Sequence, residues 1–78
     1  MEKKVRIYTI STCPYCKMLK EFLLQNNIQF EELNVGENRE YFQEMLEKTG
    51  QLGVPVVEIK GKIIVGFDKE EIKKELGI

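Results

Sequence analysis

The stretch Cys13-Pro14-Tyr15-Cys16, set between a strand-like run and a helical pattern, constrains this chain more than any other. Val5-Arg6-Ile7-Tyr8-Thr9 precedes it, and apolar Leu19, Phe22 and Leu23 follow at helical spacing. Pro14 stands where a first helical residue belongs, a position that loses no hydrogen bond for want of an N–H. Cys13 then lies at the mouth of the helix and Cys16 one turn further in, on the same face. The free N–H groups and the positive dipole end of a helix favour a thiolate over a thiol. Lys17, one turn beyond Cys13, adds charge of the same sign. The pattern predicts an exposed, acidic thiol at Cys13 with a partly buried partner, Cys16, within disulfide reach.

The 78 residues fit one domain, 1–78, and leave no room for two. At 42% hydrophobic and 32% charged, the composition is that of a globular chain rather than a disordered one. Net charge is -1 with acids and bases interspersed, so no nucleic-acid footprint is indicated. Lys3, Lys4, Lys17 and Lys20 can still gather near the thiols. No apolar run approaches the ~20 residues of a membrane span, and no signal peptide is expected ahead of Met1-Glu2-Lys3-Lys4. Two cysteines are too few for a secreted disulfide scaffold of this length, which predicts a cytoplasmic address. Nothing in the composition demands more than a monomer.

In order along the chain, residues 4–10 read as a first strand and Ser11-Thr12 as the turn into the thiols. A helix runs from Pro14 to about Asn26, where Asn26-Asn27 tolerates a left-handed cap. A second strand at 29–34 carries Phe30 and Leu33, and Val35-Gly36-Glu37-Asn38 is a loop. The next helix has Phe42, Met45 and Leu46 as its apolar stripe and Gly50 as its stop. Strand three is Val56–Ile59; Lys60-Gly61 is a two-residue hairpin turn into strand four, Lys62–Val65. Asp68, with Glu71 three positions on, opens a last helix in the manner of a capping box; it runs to about Leu76 and ends at Gly77. The order βαβαββα demands a parallel βαβ unit to which the hairpin adds antiparallel strands. Ligand chemistry in such sheets sits beyond the carboxyl end of a strand, where Cys13 falls.

The dithiol has three readings. Zinc wants four ligands, usually Cys or His, and this chain has two cysteines and no histidine. A structural staple closing so short a loop contributes only roughly 2 kcal/mol and joins nothing distant in sequence. A redox pair fits the context of a Cys-x-x-Cys that follows a strand and opens a helix. Val54-Pro55, taken alone, is a trans proline starting an edge strand. Tyr15, in the first turn beside the thiol, is a half-exposed contact surface rather than a core aromatic. Gly66-Phe67-Asp68 is a sheet break and N-cap whose helix start also suits a carboxylate.

Tyr8-Thr9, Cys13-Pro14-Tyr15-Cys16, Gly50, Val54-Pro55 and Val65-Gly66-Phe67-Asp68 occur in an order that resembles the glutaredoxin family across essentially the whole chain. The resemblance implies an α/β, thioredoxin-like fold: a four-stranded mixed sheet of order 2-1-3-4, helices one and three on one face and helix two on the other. It implies Cys13 as nucleophile, Cys16 as resolving thiol and Pro55 as a cis proline. It implies that the backbone of Val54 pairs with a bound thiol substrate and that Phe67-Asp68 receives a carboxylate of glutathione. Glutathione-using members usually carry Lys where this chain has Ile10, Thr where it has Gly53, Gly-Gly where it has Val65-Gly66, and an acidic pair where it has Asp68-Lys69. Gly66-Phe67 instead looks like the glutaredoxin-like hydrogen donors of ribonucleotide reductase, the NrdH-type redoxins, which thioredoxin reductase recharges.

The implied activity is disulfide oxidoreduction on protein disulfides or glutathione mixed disulfides. No cofactor is held, glutathione is a possible co-substrate, and either glutathione or thioredoxin reductase is the electron source. A module binding an iron–sulfur cluster or zinc between two chains is the alternative of another class.

Overall fold

Alternation along Val5–Thr9 (β1) sends Val5, Ile7 and Thr9 to one face of a sheet and Arg6 and Tyr8 to the other. Each face finds its own helical layer in the computed structural model, which describes residues 5–78. The elements that follow are α1 (Pro14–Gln25), β2 (Glu31–Asn34), α2 (Arg39–Thr49), β3 (Val56–Ile59), β4 (Lys62–Val65) and α3 (Lys69–Leu76). The sheet has the expected order β2-β1-β3-β4. β1 runs parallel to β2 and antiparallel to β3, and β3 pairs antiparallel with β4.

On one face Val5, Ile7, Val57, Ile59 and Ile64 meet Leu19, Phe22 and Leu23 of α1 and Ile72 of α3. On the other, Tyr8, Leu33 and Val56 meet Met45 of α2, with Tyr41 and Phe42 packed alongside. α1 and α3 thus share a face and α2 has the opposite one. Burying each of these side chains contributes about 1.5–3 kcal/mol, enough to fix which face of every helix turns inward.

Several expected boundaries shift. The first strand ends at Thr9, because Ile10 leaves the ladder to accept the Cys13 N–H; Lys4 and Lys3 lie outside the described residues. α1 stops at Gln25, and Asn27, with φ 57, supplies the left-handed residue. β2 starts at Glu31 rather than residue 29, leaving Phe30 ahead of the strand and partly buried against the α1 face. Leu46, expected on the inward stripe of α2, is exposed; the short sheet is covered by Met45 and Phe42 without it. The hairpin is as expected: Lys60 and Gly61 both have positive φ, the requirement of a type I′ turn.

Arg6 sits on the α2 face within 2.9 Å of Glu31, 3.1 Å of Glu44 and 3.4 Å of Glu58, tying β2, α2 and β3 to the central strand. Tyr8 beside it is fully buried and donates to Glu44 at 3.1 Å. Burial, then the Glu44 carboxylate, push its phenol up to about 12, against the opposing pull of Arg6. Between pH 10 and 12 the unfolded chain has therefore lost a proton that the native protein keeps, so raising pH favours unfolding. Urea titrations across this range should show wild-type stability falling more steeply than that of Tyr8→Phe, by about 2 kcal/mol in total.

Candidate active site

Cys13 is held by the chain turning over itself. Its N–H donates to the Ile10 carbonyl at 3.3 Å, which closes a turn directly after β1. Its backbone is extended, with φ -94 and ψ 111, as an N-cap residue requires, and Pro14 is the first residue of α1. The Cys13 sulfur then takes the part that a Ser or Asp oxygen plays in other helices: the Cys16 N–H donates to it at 3.0 Å. Cys13 and Cys16 are joined as a disulfide, with their Cα atoms 5.2 Å apart. Cys16, expected to be partly buried, is fully so, and Cys13, expected to be exposed, is partly covered.

The other expected site residues divide. Tyr15 stands out at 62% exposure beside the disulfide. The Val54–Pro55 bond is cis. Because Tyr8 pairs with Val56, the segment ahead of β3 arrives at the carboxyl end of β1, the end from which the thiol turn departs. Pro55 is buried and Val54 half-buried, and the Gly66 N–H donates to the Pro55 carbonyl at 2.8 Å, which brings the end of β4 to the same place. Lys17 is exposed, and its contact with Cys13 is through its backbone N–H, which donates to the Cys13 carbonyl at 3.2 Å.

The Phe67 ring packs inward: it meets Phe22 edge-on at 5.9 Å and leans on the α1 face of the core. One expectation needs correction. The capping box of α3 forms by half. Asp68 accepts the Glu71 N–H at 3.3 Å, but Glu71 reaches to Lys62 instead of back to residue 68, because Lys62 across the hairpin supplies an opposite charge.

The sequence reading missed two polar clusters around the turn. Thr9 is fully buried and donates to Glu32 at 2.8 Å; Glu32 also accepts from Lys20 of α1 at 2.9 Å. Ser11 joins Asn34 at 3.2 Å and Glu37 at 3.3 Å, linking the thiol turn to the loop after β2. A Cβ at Gly36 would lie 3.3 Å from the Ile10 side chain, so the two loops pack directly. The one signal for these clusters is the parallel pairing of β1 with β2, which sets Asn34 beside Thr9. Among the described residues no group of three or more His, Cys, Asp or Glu side chains is arranged to hold a metal ion.

Comparison with known proteins agrees with this geometry. The family model described as Glutaredoxin matches residues 5–64. A glutaredoxin-like 8.6 kDa protein of the Clostridium pasteurianum rubredoxin operon is 47% identical over 90% of this chain and 93% of its own length. Glutaredoxin 3 of Escherichia coli K12 is 38% identical over 82% of this chain and 77% of its own. The glutaredoxin-like protein NrdH of Lactococcus lactis IL1403 is 31% identical over 90% and 96%. Among solved structures, a mutant of the thioredoxin-like protein BC3987 superposes with a TM-score of 0.93 at 32% identity, covering 99% of both chains.

The Thr9–Glu32–Lys20 cluster gives a stability test. Burial works to raise the Glu32 carboxyl, but the Lys20 and Thr9 hydrogen bonds outweigh it and hold the group below its ordinary 4.5. A depressed carboxyl contributes stability above pH 4.5 that is lost as pH falls through its native value. Thr9→Val should lower unfolding free energy at pH 7 by about 1–2 kcal/mol, and Glu32→Gln should flatten the acid limb of the stability curve. Urea unfolding at pH 7 and pH 3 reads both.

Proposed function

This chain belongs to the glutaredoxin family, and we propose that its Cys13–Cys16 pair carries out reversible thiol–disulfide exchange on protein disulfides. The observation that carries the reading is the Cys16 N–H directed at the Cys13 sulfur from the first turn of α1. A donor and a helix dipole aimed at the sulfur favour its anion, which is the attacking form. In the reduced protein the Cys13 thiolate attacks one sulfur of a substrate disulfide. That S–S bond breaks, its second sulfur leaves as a thiolate and takes a proton, and a mixed disulfide forms on Cys13. Cys16 loses its proton and attacks Cys13; the substrate's remaining sulfur leaves as a thiolate and takes that proton, and Cys13–Cys16 is oxidised. Two electrons have passed to the substrate, with one proton from Cys16 and one from solvent.

The remaining roles are part of the same proposal. The unpaired backbone at Val54, above buried Pro55, holds the mixed disulfide, and Tyr15 covers it. Lys17 adds positive charge to the mouth of the helix. The backbone at Phe67 and Asp68 takes a carboxylate when glutathione is the partner. A reducing compartment, the cytoplasm, keeps such a pair ready for use. Recharging by thioredoxin reductase is the second reading, favoured by the likeness to the Lactococcus lactis NrdH protein and by Gly66-Phe67.

Alkylation of the reduced protein across pH should report a Cys13 titration well below the free-thiol value of about 8.5; labelling that follows an unperturbed thiol would remove the basis of the mechanism. Cys13→Ser should abolish disulfide reduction, and Cys16→Ser should accumulate mixed disulfides visible by mass. Restoration of free thiols in the oxidised protein, by NADPH with thioredoxin reductase or by glutathione with its reductase, identifies the electron source.

A further inference from the structure

In a chain that is 32% charged, four stretches of five or more residues carry no charged residue: 7–16, 22–30, 49–57 and 63–67. The fold brings three of them to one end of the sheet, while 22–30 lies at the far end of α1. Residues 9–13 leave the carboxyl end of β1, residues 53–55 enter β3 beside it, and the Gly66–Pro55 hydrogen bond places the end of β4 next in line. Lys17 and Asp68 mark where charge resumes in the sequence.

Leu52 stands in this uncharged end. At 71% exposure it is more open to solvent than any other large apolar residue described, ahead of Leu24 at 64% and Tyr15 at 62%. Neither Leu52 nor Tyr15 is covered by any other of the described residues. The backbone of Leu52, Gly53 and Val54 makes no hydrogen bond among the described residues, and a Cβ at Gly53 would meet nothing within 4 Å. Free N–H and C=O groups in line with a strand are an offer of pairing to an extended segment. Beside them stands an apolar side chain with nothing to cover it.

We propose that Leu52 is a specificity residue: it packs on an apolar side chain next to the attacked cysteine of an extended protein substrate. This deepens the exchange reading above and rests on it. The occupant is a polypeptide, because it supplies both backbone pairing for Leu52–Val54 and an apolar neighbour for the Leu52 side chain. An acidic residue at the same substrate position would be desolvated against Leu52 with no partner, which costs affinity.

The test uses two disulfide-linked peptides that differ only beside the cysteine, Leu in one and Asp in the other. The wild-type protein, kept reduced by dithiothreitol, should show kcat/KM about tenfold higher for the Leu peptide. Leu52→Ser should bring that ratio close to one. Leu24→Ser, at an equally exposed leucine near the far end of α1, should leave it unchanged. Equal rates for the two peptides with the wild type, or an undiminished preference in Leu52→Ser, would overturn the assignment. Reduction of hydroxyethyl disulfide by the wild type separates the failures: if that is also absent, the exchange reading itself is lost and the specificity proposal with it.

Discussion

A helix that begins on a sulfur atom organises this molecule. The 3.0 Å hydrogen bond from the Cys16 N–H to the Cys13 sulfur fixes where α1 starts. Pro14 makes that start compatible with the backbone, and the turn from Ile10 to Cys13 delivers the chain to it. α1 then has to lie across the sheet, since Leu19, Phe22 and Leu23 find cover only there. Chemistry and folding thus share one set of atoms. The donor that caps the helix is also the donor that favours an anion on the sulfur.

How far this was legible in the sequence depends on whether a feature is local. Pro14 at the first helical position, the Lys60-Gly61 turn and the Gly50 and Gly77 stops are each fixed by the backbone preferences of a few residues, and each stands where it was read. Strands three and four match to the residue for the same reason. What was missed needs two distant segments to meet. Thr9 reads as one more β-branched strand residue until β2 brings Glu32 against it and α1 brings Lys20. Glu71 reads as half of a capping box until the hairpin offers Lys62. Leu46 fits the helical stripe as well as Met45 does, but a four-stranded sheet is too narrow to cover both.

The cis bond at Val54–Pro55 stands apart from these. Base rates favour trans for any X-Pro pair, and only the likeness to a family of proteins pointed the other way. The site is therefore read from two kinds of information. Residue chemistry identifies the thiols, and resemblance points to the segment that enters β3 at the same end of the sheet. The fold joins the two by pairing β1 antiparallel with β3, so that the end of one strand lies beside the beginning of the other.

The order of the sheet leaves β2 and β4 without outer neighbours. β2 presents two adjacent carboxylates, Glu31 and Glu32, each fastened inward by a cation of the same molecule, Arg6 and Lys20. On β4, Lys62 is fastened to Glu71 and Glu75 of α3. Charges held along an outer strand make it a poor template for a second copy, which would have to bury them to continue the ladder. The ion pairs that look like surface ornament thus act against edge-to-edge pairing of two copies, since continuing the ladder would strip water from charges already committed within the molecule.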